Sequence, residues 1–343
     1  MEAPAAASSE RLSKPLGSAT VPETSTAGEI HAAPRLHAVK TNGGLDLEIR
    51  DTREHPLAVF FKPLRRARRE RYASWKPGMG TEKRRAVLTI VQNEAVFLPI
   101  WLRYYSRFFA PDDIYVLDHE STDGSTSGGG FVRIPVSHDT VDHTWMVRTI
   151  EARQHELLDR YDMVLTTDVD EIVAPNPEWG TLGEYLDRFE EEWVNCLGYE
   201  ILHLKDREGP LRTERPILEQ RGYWFANDPY NKPALASVPM SWEPGFHMRT
   251  DRRLNLDPDL YLIHLHRMDY DICLDRHRWR RQRSWNQRDL TAGWAVHNRI
   301  TEQEEFERWF YEDDSWLDPE DGAGNERTGI PLERIPAAWR DAF

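Results

Sequence analysis

Residues Tyr161–Val173 read YDMVLTTDVDEIV. A short apolar run closes in two aspartates one residue apart, and a glutamate follows directly. In an extended strand residues i and i+2 face the same way, so Asp168 and Asp170 are expected to aim their carboxylates at one point, where a buried strand surfaces. Hard oxygen ligands converging there suit Mg2+ or Mn2+, and such a metal could hold the diphosphate of a nucleotide-bound donor. The competing reading is a strand cap that starts a turn, since Asp-x-Asp alone is common.

The segments before this stretch set its context. Ala86–Gln92, AVLTIVQ, is a continuous β-branched and apolar run, as in a strand buried on both faces. NEAVFLPIWLRYYSRFF then changes to helical spacing, with Phe97, Trp101, Tyr105 and Phe108 on one side and Pro99 near the helix start, where a missing N–H is tolerated. A second strand is expected at Ile114–Leu117, and a second helix in TWMVRTIEARQHELLDRY, with Met146, Ile150, Leu157 and Tyr161 on one stripe. Strand, helix, strand, helix, strand is the pattern of an α/β domain with a mostly parallel central sheet flanked by helices. Ligands of such sheets sit beyond the carboxyl ends of the strands. Asn93-Glu94, Asp118 and Asp168–Asp170 all fall at such ends; Asn93-Glu94 could equally be a helix N-cap, and Asp118 an Asx-turn residue.

The second half is less regular. WGTLGEYLDRFEEEW reads as an amphipathic helix and LGYEILHL as a strand. Tyr230–Met248 is rich in Pro and aromatics, as in a structured loop with short strands. Leu260–Asp271, LYLIHLHRMDYD, alternates, so His264 and His266 are expected side by side on one strand face, with Ile263 and Leu265 buried on the other. DRHRWRRQRSWNQR reads as a basic, Trp-containing helix.

Composition narrows the classes. A formal net charge of −14 argues against general nucleic-acid binding, though not against an anionic small substrate. Cys196 and Cys273 lack metal-ligand spacing in the sequence and are expected as reduced core thiols. No apolar stretch approaches the roughly 18 to 20 residues that span a bilayer, and the N-terminus has no apolar core of a secretory signal. A cytoplasmic location is the default expectation. The basic run Lys62–Lys76 reads as a solvated helix face that could also touch the inner face of an anionic membrane. The expected organisation is a disordered tail over 1–40, an extension with the basic segment over 41–83, a catalytic domain over 84–300, and a helical, acidic extension over 301–343.

Taken in order, NEAVFLPIWLRYY, DIYVLDHESTDGS and VLTTDVDEIV, followed by NKPAL, GFHM and HLHR, resemble a family 2-type glycosyltransferase of the A-type nucleotide-sugar fold, in its Asp-x-Asp-Glu branch. The resemblance covers about residues 84 to 280. Ile172-Val173 stands where that branch has Phe-Leu, and QRSW at Gln282–Trp285 only brushes against the signature of processive synthases. The resemblance implies a Rossmann-like nucleotide half and an acceptor half. It also implies a non-processive transfer of sugar from a nucleotide-diphosphate donor to a glycan, lipid-linked or small-molecule acceptor. Asn93, Glu94 and Asp118 would line the nucleoside pocket, Asp168 and Asp170 would hold Mn2+ or Mg2+, and Lys232 would pair with the diphosphate. His247, His264 and His266 are candidates for a third metal ligand or a phosphate contact. Glu171, Glu243 and Asp269 are candidate carboxylates for the base that an inverting transfer needs. Two other classes stay open: a metal-dependent phosphohydrolase, although Ile172 stands where its Asp-x-Asp-x-Thr motif has Thr, and a non-catalytic sugar-binding protein, given the 13 tryptophans.

Overall fold

The computed structural model describes residues 83–311 and 332–343, together with a two-residue antiparallel ladder between Lys40–Thr41 and Gly44–Leu45. The expected tail up to residue 39, the basic run Lys62–Lys76 and the stretch 312–331 lie outside the described residues.

The expected α/β sheet flanked by helices is present. β1 (Arg85–Val91) is buried along almost its whole length and lies parallel to both β2 (Ile114–His119) and β4 (Met163–Thr166). β3 (Val132–Val136) extends the parallel run beyond β2. Sequence periodicity gave no strand there, because β3 is a half-exposed edge with Pro135 inside it, a position an edge tolerates. The helices α1 (Phe97–Tyr105) and α2 (His143–Leu158) follow β1 and β3. The α2 N-cap is Asp142, which accepts from the Trp145 N–H, and its inward stripe runs through Val147, Ile150, Gln154 and Leu157.

Past β4 the sheet changes character. β5 (Glu171–Pro175) leaves the parallel run and pairs antiparallel with β9 (Leu256–His264). β6 (Trp193–Ile201) lies parallel to β9, and β8 (Pro233–Ala236) is antiparallel to both β4 and β6, joining the two halves. β7 (Tyr223–Ala226) continues the sheet, and β10 (Glu333–Arg334), from the expected helical extension, pairs with it. The other α-helices among the described residues are α3 (Leu182–Asp187, started by a Thr181–Glu184 capping box), α4 (Ile217–Gln220), α5 (Tyr270–Arg281), α6 (Gln287–Thr291) and α7 (Gln303–Tyr311). Among the described residues no helix is long and apolar enough to cross a membrane.

Two local readings are corrected here. The fourth strand ends at Thr166, so Asp168-Val169-Asp170 forms the turn between β4 and β5 rather than a strand terminus. α1 begins at Phe97 with Val96 as its N-cap, so Asn93 does not cap it.

The acidic turn is held from below by α1. Trp101, fully buried, donates from Nε1 to Thr167 Oγ1 at 2.9 Å. Tyr104 donates to the Val173 carbonyl at 2.9 Å, and the Tyr105 hydroxyl accepts from the Val173 N–H at 2.9 Å. Positions 101, 104 and 105 share one helix face, so a single amphipathic helix brings one polar handle to the turn and two to the middle of β5 through the apolar core.

Candidate active site

One cavity of about 210 Å3 opens beyond the carboxyl ends of β1 and β4. Of the residues expected to form a site, it gathers Glu94, Asp168, Asp170, Lys232, His247, His264 and His266. To these it adds Arg276, Arg280, Arg283, Trp279, Trp285, Trp294, His119 and His143, which the sequence reading did not assign to a site. Two of the arginines carried a signal: positions 276 and 280 are spaced i, i+4 on one face of α5, and Arg283 follows two residues past its end.

Strand register sets the centre of the site. His264 on β9 is the pairing partner of Glu171 on β5 and of Glu200 on β6. Its Nδ1 lies 2.6 Å from Glu200 Oε2, and its Nε2 lies 3.4 Å from Asp170 Oδ2. β9 ends at His264, so His266 follows in the next turn instead of on the strand; the two rings are nonetheless 5.5 Å apart, and His266 Nδ1 is 4.0 Å from Asp170 Oδ2. Leu265 donates its N–H to the Asp170 carbonyl at 2.8 Å, which ties the two turns together. Tyr230 stacks on His264 with ring centroids 4.0 Å apart. That approach needs Gly198: a Cβ there would lie 2.5 Å from both the Asn227 carbonyl oxygen and the Tyr230 carbonyl carbon.

Asp168 and Asp170 have different partners. Asp168, a third exposed, accepts from Lys232 Nζ at 2.7 Å, and the same ammonium lies 2.6 Å from Glu171 Oε1. Asp170, buried, is bonded to Arg276, whose guanidinium also holds Glu94 Oε1 at 2.6 Å. In this structure the two carboxylates thus face different cations. The atoms close enough to share a cation are those of Asp170, His264 and His266, all within 4.8 Å of one another, and Asp168 stays outside that group. Metal–ligand bonds of about 2.1 Å place cis ligands roughly 3 Å and trans ligands roughly 4 Å apart; the 3.4 and 4.0 Å separations of the two imidazoles from Asp170 match this, and a divalent cation would take the place of the His264 Nε2 proton. One carboxylate and two imidazoles suit Mn2+ better than Mg2+. Arg276 keeps Glu94 as a partner if Asp170 turns toward a cation.

The electrostatics follow from this packing. Burial pushes the Glu171 carboxyl up, Lys232 opposes it, and the pKa stands at about 7: one ammonium serves two carboxylates. Burial alone would lower the His264 pKa, but Glu200 and Asp170 together hold it up at about 9. Asp170 is held well below the usual carboxylate range despite its burial, by Arg276 and then His264. His266 and His247 are pushed well below the ordinary imidazole range by burial, His266 also by His277 and Arg276, and His247 also by Lys232. Burial lowers Arg280, with repulsion from Arg276 next, and burial also lowers Arg283. Cations crowded in this way favour an incoming anion.

A pH prediction follows. A folded-state pKa raised from 6.5 to about 9 means that the stability His264 contributes is full below pH 6.5 and lost as pH rises through about 9. The expected loss is up to about 3 kcal/mol. Urea midpoints measured from pH 6.5 to 9.5 should fall, and His264→Gln should flatten the slope. The raised Glu171 acts in the same direction, but between pH 4.5 and about 7, so the two windows separate. A midpoint that stays level between pH 7 and 9.5 would show that His264 is neutral.

The remaining expected site residues have other tasks. Asn93, at φ 55°, accepts from the Thr122 and Asp123 N–H groups and so ties the loop after β1 to the loop after β2. Asp118 accepts from the Ser121 N–H, Thr126 Oγ1 and Arg133 Nε, the Asx-turn role. Neither is among the residues lining the cavity. Glu243 is turned to Arg252 at 3.0 Å. Asp269 is the N-cap of α5 and pairs with Arg221 at 2.8 Å. Neither is among the residues lining the cavity. Cys196 and Cys273 are both free and buried, as expected of core thiols. Cys273, however, lies 3.8 Å from His277 Nε2, a proximity its sequence spacing did not bring out.

No family model matches the chain, and no curated protein matches it. Among solved structures it is similar to the mannosyltransferase PcManGT from Pyrobaculum calidifontis in complex with GDP-Man and Mn2+. The identity is 15%, over 63% of this chain and 68% of that chain, with a TM-score of 0.33. A likeness this distant says nothing about the substrate of this chain.

Proposed function

We propose that this chain is a metal-dependent glycosyltransferase that moves a sugar from a nucleotide-diphosphate donor to an acceptor hydroxyl, with inversion and without processivity. The observation that supports this reading is the pairing, in one cavity, of a carboxylate–imidazole set (Asp170, His264, His266) with the side-chain cations Lys232, Arg276, Arg280 and Arg283. Breaking the anomeric C–O bond leaves charge on a diphosphate, and that leaving group needs fixed positive charge around it. A bound Mn2+ would supply Lewis-acid stabilisation of the leaving diphosphate. Arg280, near the end of α5, and Arg283, two residues beyond it, would hold phosphate oxygens, with Lys232 in the segment before β8. Of the three carboxylates expected as base, Glu171 alone adjoins the site, through Lys232, but its side chain is only 1% exposed. Asp168, with 34% of its side chain exposed, is the cavity carboxylate that an acceptor hydroxyl can reach.

The test is to incubate the protein with Mn2+ and a panel of nucleotide-diphosphate sugars and to assay the products. Slow release of nucleoside diphosphate, abolished by EDTA and restored by Mn2+, is the expected result. Orthophosphate release would identify a phosphohydrolase, and binding without turnover a sugar-binding protein. One observation favours a second reading: Asp168 and Asp170 are each already neutralised by a buried cation. A diphosphate held by guanidinium and ammonium groups alone would give full donor hydrolysis in EDTA.

A further inference from the structure

Behind the cavity lies a group of buried, uncharged polar side chains that the proposed chemistry does not use. His277 projects from α5 into this layer, with Cys273 one turn before it on the same helix face. The direction of each hydrogen bond here can be worked out. The Ile300 carbonyl can only accept, and it lies 3.0 Å from His277 Nδ1, so His277 carries its proton on Nδ1. His277 is fully buried with Arg280 and Arg276 close by, an environment that disfavours a second proton, so the ring is neutral and its Nε2 is a bare acceptor. His266 Nε2 stands 2.9 Å from that acceptor. A contact of that length needs a proton between the nitrogens, and His266 must supply it. The Cys273 thiol, kept protonated by burial, points a second, weaker donor at the same atom.

The consequence appears on the other side of the His266 ring. A neutral imidazole with its proton on Nε2 has a lone pair on Nδ1, and that atom faces Asp170 Oδ2 at 4.0 Å. The opposite tautomer would place an N–H there and block ligation. We infer that His277 is a positioning residue: by accepting from His266 Nε2 while donating to the Ile300 carbonyl, it fixes the one His266 tautomer that can ligate a cation beside Asp170 and His264. The inference rests on the metal-site reading above. It differs from the other arrangement these atoms allow, a cation held by His266, Cys273 and His277 themselves. That set offers a cation no carboxylate to offset the nearby arginines, whereas the first set has Asp170.

Two measurements test it. Long-range 1H–15N correlation of the histidine rings in the metal-free wild-type protein reads the tautomer directly, whether or not any variant folds. A His266 proton on Nε2 and a bare Nδ1 are expected; a proton on Nδ1 overturns the inference. Mn2+ affinity, followed by EPR of the free ion, should fall about 10- to 100-fold in His277→Phe, which removes the acceptor. His277→Gln, which can accept from His266 and donate to Ile300, should recover most of the loss. Unchanged affinity in a folded His277→Phe overturns the positioning role. Absence of Mn2+ binding by the wild type overturns the metal reading and the inference with it, whereas the tautomer result isolates a failure of the hydrogen-bond chain. Zn2+ binding that depends on Cys273 would assign the layer to a separate metal site and also overturn it.

Discussion

Asp170→Asn is expected to lower donor turnover about 100- to 1000-fold, the loss usual when one fixed group stabilising transition-state charge is removed. Asp170 is the point where His264 Nε2, His266 Nδ1 and Arg276 meet. Asn keeps its volume but removes its charge. Cation affinity falls, and His264 loses one of the two carboxylates that hold its pKa up. Some loss of stability is also expected, because Arg276 is left with Glu94 alone. Turnover must therefore be read as nucleoside diphosphate released per folded protein, with the folded fraction taken from circular dichroism at the assay temperature. The signature is a collapse in turnover far greater than any loss of folded protein. Wild-type turnover in a folded Asp170→Asn would reduce the acidic turn to a structural cap.

Arg276→Met should produce the largest loss of stability, about 3 to 5 kcal/mol, the usual consequence of removing one partner from a buried ion pair. Arg276 is 8% exposed and bridges Glu94, 6% exposed, and Asp170, 5% exposed. Met retains apolar packing against the Phe97 ring, over which the guanidinium sits at 4.2 Å, so the effect isolates charge from volume. Urea denaturation at pH 7 measures it. Adding Glu94→Gln to Arg276→Met should recover part of the loss, because Glu94, then held only by Arg280 at 3.4 Å, is replaced by a neutral side chain. Mn2+ should also recover part of it in the single variant, by bringing positive charge back to Asp170. A loss below about 1 kcal/mol would show that water reaches this layer and that the pair is not dry.

Much of the frame could be read along the chain. The run Ala86–Gln92 and the helical spacing that follows correspond to β1 and α1, because a doubly buried strand and an amphipathic helix each leave a repeat set by local geometry alone. The alternation in Leu260–His264 likewise corresponds to part of β9. The half-exposed edge strand β3 left no such repeat, and β8 inserts between β4 and β6 on pairings that no local pattern encodes.

The site divides in the same way. Along the chain, strand spacing singled out Asp168 with Asp170 and His264 with His266 as candidates at strand ends, and the resemblance added Lys232. Tertiary structure decided which charge meets which. Register sets His264 between Glu171 and Glu200, and α5 delivers Arg276 to Asp170 across 106 residues of chain. It also separated Asp168 from Asp170, by making their segment a turn instead of a strand. Periodicity depends on neighbours a few residues away. The matching of buried charges depends on the whole cavity, where each ion must find a counter-ion or lose its charge.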